Sequence, residues 1–74
     1  MTITGTGYND KYSVNGWGEI LDSSGWRTGF KINGNELLCE TSSRWVTAGW
    51  LHSGGSISYA SDYSGNKPFS GWRD

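Results

Sequence analysis

Aromatic side chains are the residues of this chain with the clearest capacity for chemistry, since eleven of its 74 residues are Trp, Tyr or Phe. A flat indole ring suits the C–H face of a sugar, and nearby Asp, Asn and Arg side chains can hydrogen-bond its hydroxyl groups. Exposed indoles commonly mark a binding surface. We therefore predict a ligand-binding surface made by Trp17, Trp50, Tyr59, Asp62, Tyr63, Asn66, Trp72 and Arg73.

A hairpin in the second half of the chain is expected to carry most of this surface. If Gly54-Gly55 forms a two-residue turn, Trp50 faces Tyr59 across the two strands. The loop 61–66 follows directly and contributes polar groups beside this aromatic pair. The pattern predicts an aromatic platform with a polar loop next to it.

The tryptophans of so small a domain must also supply part of its core. Trp26 is assigned to the core because Phe30 and Ile32 share its face of a strand. Trp17 lies between two glycines and Trp72 lies near the chain end, so each has little to pack against. We expect both of these rings to be exposed.

Catalysis is not expected. The only cysteine, Cys39, and the only histidine, His52, could in principle form a nucleophile and its base. Cys39, however, is predicted on the core side of its hairpin, and His52 opposite Ile57 across a tight turn. The carboxylates show no paired arrangement beyond Glu36 and Glu40, which a solvated strand face explains. We predict neither an enzyme nor a bound cofactor.

One cysteine and one histidine exclude two common means of stabilising a small domain. An internal disulfide cannot form, and a zinc site of four Cys or His ligands cannot be built within one chain. A domain of this size buries only about 60% of its unfolded surface. We therefore expect aromatic packing, a homo-oligomeric partner, or both, and no metal.

Charge and hydropathy disfavour two further classes of partner. Seven acidic and six basic residues give a net charge of −1, and they are scattered along the chain. Duplex nucleic acid is not expected because no basic run exists to contact phosphates. There is no 18-residue apolar segment for a membrane span, and the N-terminus lacks the features of a secretory signal. The chain is therefore expected inside a cell, in a larger particle, or outside after lysis or leaderless export.

The strand patterns predict an all-β fold, because apolar residues nowhere recur at helical spacing over more than a turn. Asn33-Gly34 is a strong signal for a type I′ turn, which would place Ile32 opposite Asn35 and Phe30 opposite Leu37. The residues that alternate with these form a charged outer face.

Turn residues divide the rest of the chain into short segments. Asp22–Gly25 is predicted to be a turn, and residues 1–11 a Thr/Gly-rich arm without an evident partner. Further strands are expected at Tyr12–Leu21, Arg44–His52 and Phe69–Trp72, the last at an edge because it follows Pro68. The result is a single domain, 1–74, with a small antiparallel sheet or barrel of about five or six short strands joined by tight Asn-Gly and Gly-Gly hairpins.

Gly-Trp recurs four times, at Gly16, Gly25, Gly49 and Gly71. The segment 16–30, with its Gly-Trp, turn and Arg-Thr-Gly-aromatic order, resembles the distal hairpin of bacterial SH3-like modules. The segment 48–53 is similar to the one that closes such barrels, and the 22–24-residue Gly-Trp spacing resembles cell-wall-binding repeats of the choline type. The resemblance covers about a third of the chain. It implies binding of peptidoglycan, teichoic acid or similar polymers without catalysis.

Two functions follow from these patterns. The first is a non-catalytic recognition module that binds carbohydrate or a cell-wall polymer through exposed aromatic side chains. The alternative is a protein–protein interaction piece, such as a virion or filament subunit or a small phage-encoded inhibitor. The alternative rests on the thin core, the apolar strand 44–52 and the N-terminal arm, which could pair with a neighbour's edge strand.

Overall fold

A computed structural model describes residues 1–7 and 11–73, and in these ranges the chain is all-β and antiparallel. The prediction of the fold class is confirmed, with eight strands rather than about five or six. The strands are β1 Thr2–Gly5, β2 Lys11–Val14, β3 Glu19–Leu21, β4 Arg27–Asn33, β5 Glu36–Glu40, β6 Trp45–Leu51, β7 Ile57–Tyr59 and β8 Phe69–Arg73.

A single sheet carries all eight strands in the order β7-β6-β5-β4-β3-β2-β1-β8, and it curls until its two end strands meet. β7 and β8 are joined at one end by a bridge between Ser56 and Gly71 and by the Trp72 amide donating to the Gly55 carbonyl. Farther along, the Tyr59 hydroxyl accepts from the Phe69 amide and donates to the Phe69 carbonyl. The sheet therefore nearly closes into a barrel.

The core fills the inside of this barrel with one or two side chains from most strands. Phe69 is its centre, with its ring edge-to-face against Phe30 at 4.9 Å and Tyr12 at 5.0 Å. Such geometry aligns the positive edge of one ring with the negative face of the other. The buried core residues are Ile3, Ile20, Phe30, Leu37, Ala48, Leu51 and Phe69.

The N-terminal segment is part of the sheet, which corrects the prediction of a loose arm. β1 pairs with β2 on one side and with β8 on the other, and Ile3 is fully buried. The partners that the sequence did not reveal are β2 and the C-terminal strand β8. Residues 8–10, which belonged to the predicted arm, lie outside the described residues.

The segment predicted as one strand, Tyr12–Leu21, is a hairpin of two. Its turn is residues 16–18, with the Gly18 amide donating to the Asn15 carbonyl and the Asn15 amide to the Glu19 carbonyl. Gly18 has φ +82°, and a Cβ there would lie 2.6 Å from the Ile32 carbonyl oxygen. The bend therefore depends on glycine for both conformation and space.

Two more hairpins have the same three-residue turn. The Asp22–Gly25 turn was predicted correctly, with Gly25 at φ +89° and its amide bonded to the Asp22 carbonyl. At the β6–β7 hairpin the turn is residues 53–55, with the Gly55 amide bonded to the His52 carbonyl. A turn of this kind ends on a residue in the left-handed region, which glycine adopts without strain.

This third turn overturns the predicted pairing of Trp50 with Tyr59. The extra turn residue places Trp50 opposite Ser58 and Tyr59 opposite Gly49. A one-residue slip sends the side chains of one strand to the other face. Trp50 and Tyr59 therefore do not form a platform.

The β4–β5 hairpin is also shifted, by two residues, and keeps its predicted faces. Asn33 pairs with Glu36, so Gly34 and Asn35 form the turn, and Ile32 lies opposite Leu37. A shift of two residues preserves the strand alternation. The apolar side of this hairpin accordingly contributes Phe30 and the fully buried Leu37 to the core.

A bulge in β6 changes which of its side chains enter the core. Leu37 pairs with Gly49 whereas Leu38 pairs with Thr47, which leaves Ala48 as an extra residue. Both Ala48 and Leu51 are buried, although simple alternation assigned them to opposite faces. Beyond the bulge Trp50 points outward, so the apolar strand 44–52 has an exposed indole.

Candidate functional site

The tryptophans divide into three exposed and two partly buried rings. The exposed fraction is 85% for Trp17, 74% for Trp26 and 40% for Trp50. Trp45 and Trp72 are partly buried. Exposure of Trp17 was predicted, whereas the assignment of Trp26 to the core and of Trp72 to the surface was wrong.

Trp26 is excluded from the core by its position at the end of a turn. Its amide donates to the Asp22 carboxylate at 3.0 Å, and its carbonyl accepts from the Asp22 amide. β4 begins only at Arg27, so Trp26 precedes the strand whose alternation would have placed it on the same face as Phe30.

Trp72 is partly buried because it lies where β7 and β8 come together. Its indole Nε1 donates to the His52 carbonyl at 2.9 Å, and the ring packs against the core cluster. Its neighbour Arg73, also predicted to bind ligand, lies exposed at the end of β8. Trp72 thus helps to close the barrel.

The surface that combines an open indole with convergent polar groups lies outside the sheet, across β3 to β6. We call it the outer groove. It has a volume of about 410 Å³. Its lining residues are Trp17, Glu19, Arg27, Lys31, Glu40 and Trp45.

Asn15 positions one wall of the outer groove. Its side-chain oxygen accepts from the amides of Trp17 at 3.0 Å and Glu19 at 2.9 Å, and its Nδ2 donates to Glu19 Oε1 at 3.0 Å. One side chain therefore fixes the backbone below the exposed indole and also orients the first carboxylate. The hydrogen bond from Asn15 Nδ2 lowers the pKa of Glu19 below its usual value, and the nearby Arg27 lowers it further by a smaller amount.

Arg27 occupies the floor of the outer groove between two carboxylates. Its Nε lies 2.6 Å from Glu19 Oε2 and its Nη2 lies 3.7 Å from Glu40 Oε2. On the far side, the Lys31 ammonium lies 4.4 Å from the centre of the Trp45 ring, a cation–π distance. Each cation of the groove is thus held by a neighbour.

A second cavity, the loop cavity, lies between residues 62–66 and the strands β4, β5 and β6. Its volume is about 550 Å³, and its walls combine apolar and polar side chains. It contains three of the predicted binding residues: Asp62, Tyr63 and Asn66. The Tyr63 hydroxyl donates to the Asn66 carbonyl and lies 3.9 Å from the Cys39 sulfur. Burial, with a smaller contribution from Cys39, raises the pKa of Tyr63 to about 12.

The predicted binding residues therefore do not form one site. Tyr59 stacks on Tyr63 with ring centres 5.9 Å apart, which keeps it beside the loop cavity. Trp17 lies in the outer groove, and Trp50 lines neither cavity.

Five residues of the outer groove were not predicted as binding residues. Strand alternation by itself predicts that Arg27, Lys31 and Glu40 lie on one polar face. That Glu19 of β3 and Trp45 of β6 lie on the same face could be known only from the order of the strands in the sheet. The missed residues are Glu19, Arg27, Lys31, Glu40 and Trp45.

Cys39 and His52 bond different partners. His52 Nε2 lies 2.7 Å from Ser58 Oγ, whereas Cys39 contacts Tyr63 and the Glu40 carbonyl. Among residues 1–7 and 11–73 there is no group of three or more His, Cys, Asp and Glu side chains arranged to hold a metal ion. The same ranges contain no helix that is long and apolar enough to cross a membrane.

Comparison with protein-family models, curated proteins and solved structures finds no match to this chain. The resemblance to bacterial SH3-like and cell-wall-binding modules therefore stays a prediction. The two cavities and the exposed indoles are the features of the molecule that bear on function.

Proposed function

We propose that this chain is a non-catalytic recognition module that binds carbohydrate or a cell-wall polymer in the outer groove. The observation that carries the proposal is the 85% exposed ring of Trp17 beside an ordered row of hydrogen-bonding side chains. Covering so open an indole with the apolar face of a ligand removes apolar surface from water and is favourable. Sugar rings suit it because they combine an apolar face with hydroxyl groups at the edge.

The groove has the complementary donors and acceptors for such a ligand. Arg27 carries five N–H donors, of which the contacts with Glu19 and Glu40 engage only some. The two carboxylates have further lone pairs that can accept from sugar hydroxyl groups. Trp45, held under Lys31, forms the wall at the β6 end of the groove.

The proposal is tested by titrating the protein with soluble hexasaccharides while recording tryptophan fluorescence and heat. We expect Trp17→Ala to weaken the response to the glycan that binds wild-type protein. The affinity should fall by about tenfold or more, because a buried aromatic contact contributes roughly 1.5–3 kcal/mol.

Trp26→Ala is the matched control. It removes another highly exposed indole, which lines neither cavity, so folding and glycan affinity should both be retained. Equal loss of binding in both variants would contradict an assignment to the outer groove. Failure of wild-type protein to bind any neutral or anionic hexasaccharide would refute the proposed function.

A second candidate, a protein–protein interaction piece, is favoured by the exposed rings outside the groove. Trp26 and Trp50 are 74% and 40% exposed and line neither the outer groove nor the loop cavity. Tryptophan is among the residues most enriched at the energetic centres of protein interfaces. Under this proposal Trp26→Ala, and not Trp17→Ala, would abolish self-association or partner binding measured by light scattering.

A further inference from the structure

We infer that the outer groove selects uncharged glycans over anionic polymers. This inference rests on the proposed function and narrows its ligand class. The charged side chains of the groove are already paired with one another or with an aromatic ring.

Arg27 is already paired with a carboxylate. Its Nε lies 2.6 Å from the Glu19 carboxylate, which is itself oriented by Asn15. A phosphate or uronate approaching Arg27 would have to displace Glu19 or bind next to its negative charge. A like charge in direct contact costs free energy that a neutral hydroxyl group does not.

Lys31 is also engaged. Its ammonium lies over the Trp45 ring, where the negative face of the indole stabilises it. Moving it toward an anionic ligand would sacrifice this contact and uncover Trp45. Lys31 therefore serves better to hold the aromatic wall than to neutralise a ligand.

The charges that line the groove cancel. Two carboxylates, Glu19 and Glu40, face two cations, Arg27 and Lys31. Paired groups of this kind still offer N–H donors and oxygen acceptors in fixed directions. That combination matches neutral hydroxyl groups, which both donate and accept, and it gives no net attraction to a polyanion.

The inference is tested by isothermal titration with cellohexaose and chitohexaose as neutral probes and hexagalacturonate as an anionic probe of the same length. Titrations at about 10 mM and about 150 mM sodium chloride span a strong change in screening length. We expect a neutral probe to bind with nearly the same affinity at both salt concentrations, and hexagalacturonate to bind measurably but more weakly than that neutral probe.

Glu40→Gln changes the groove charge from zero to +1 while keeping the shape of the side chain. We expect this variant to gain affinity for hexagalacturonate of about fivefold at low salt, the factor that one unit charge about 4 Å away contributes in water. Glu36→Gln is the matched control, since it makes the same change on the same strand outside the groove. It should gain nothing.

The outcomes separate this inference from the proposed function. Tighter binding of hexagalacturonate than of either neutral probe by wild-type protein, weakening with salt, would overturn the inference and leave glycan recognition standing. An equal gain for Glu36→Gln and Glu40→Gln would overturn it as well, since it would reflect total charge. Absence of binding to all three probes would refute both.

Discussion

Tyr59→Phe should be among the most destabilising single-atom changes in this protein, because its hydroxyl bridges the strands that nearly close the barrel. That hydroxyl accepts from the Phe69 amide at 2.8 Å and donates to the Phe69 carbonyl at 2.9 Å. Phe69 is almost fully buried at the centre of the core. Removing one oxygen atom therefore leaves two main-chain polar groups without this partner.

The expected loss follows from the cost of leaving such groups unsatisfied. Each buried polar group that loses its partner costs about 1–3 kcal/mol. Because Tyr59 is only half-buried and water can reach part of the gap, we expect a total of about 2–4 kcal/mol. A 74-residue domain has roughly 4–11 kcal/mol of stability. At about 4–8 °C per kcal/mol, the melting temperature should fall by at least about 8 °C.

Urea denaturation followed by tryptophan fluorescence measures this loss, with calorimetry as a second probe. Tyr63→Phe is the matched control, because it removes the same atom from a residue whose hydroxyl bonds only within the loop and near Cys39. We expect the control to lose at most about 1 kcal/mol. If Tyr59→Phe were no less stable than Tyr63→Phe, the bridging role of Tyr59 in barrel closure would be wrong.

Two further predictions concern titratable groups. The raised pKa of Tyr63, about 12, means that the folded chain keeps a proton that the unfolded chain releases near pH 10. Stability should therefore fall as the pH rises from about 10 to about 12, and Tyr63→Phe should flatten the dependence of the urea midpoint on pH. In Asn15→Ala the pKa of Glu19 should rise toward its usual value, because the variant removes the hydrogen bond that lowers it most. Carboxyl carbon NMR titration measures this pKa, and an unchanged value would show that Asn15 does not position Glu19.

Local sequence determined the fold class and part of the hairpin geometry. The Asp22–Gly25 turn was predictable because an Asx residue followed three positions later by glycine encodes its own hydrogen bonds. The same spacing occurs at Asn15–Gly18 and, with histidine, at His52–Gly55, so the sequence also carries a local signal for those two turns. Alternation correctly placed Phe30 and Leu37 on one face.

Register and strand order were decided only in the folded chain. The observed register of the β6–β7 hairpin differs from the predicted one by a single residue. That difference places Trp50 and Tyr59 on opposite faces, so the predicted aromatic platform does not form. The bulge at Ala48 had no local signal beyond Gly49, where an added Cβ would meet the Ser58 carbonyl. Registers of this kind depend on which choice buries the most apolar surface in the whole barrel.

The candidate site also depends partly on local sequence and partly on the tertiary structure. The types of its residues were visible in the sequence, since charged side chains alternate along β4 and β5 and a tryptophan lies between two glycines. Their meeting was not visible, because it depends on side chains from β3, β4, β5 and β6 sharing one outer face. Local sequence encodes turns over a few residues. A site built across four strands forms only when the pairing register of those strands is fixed in the folded barrel.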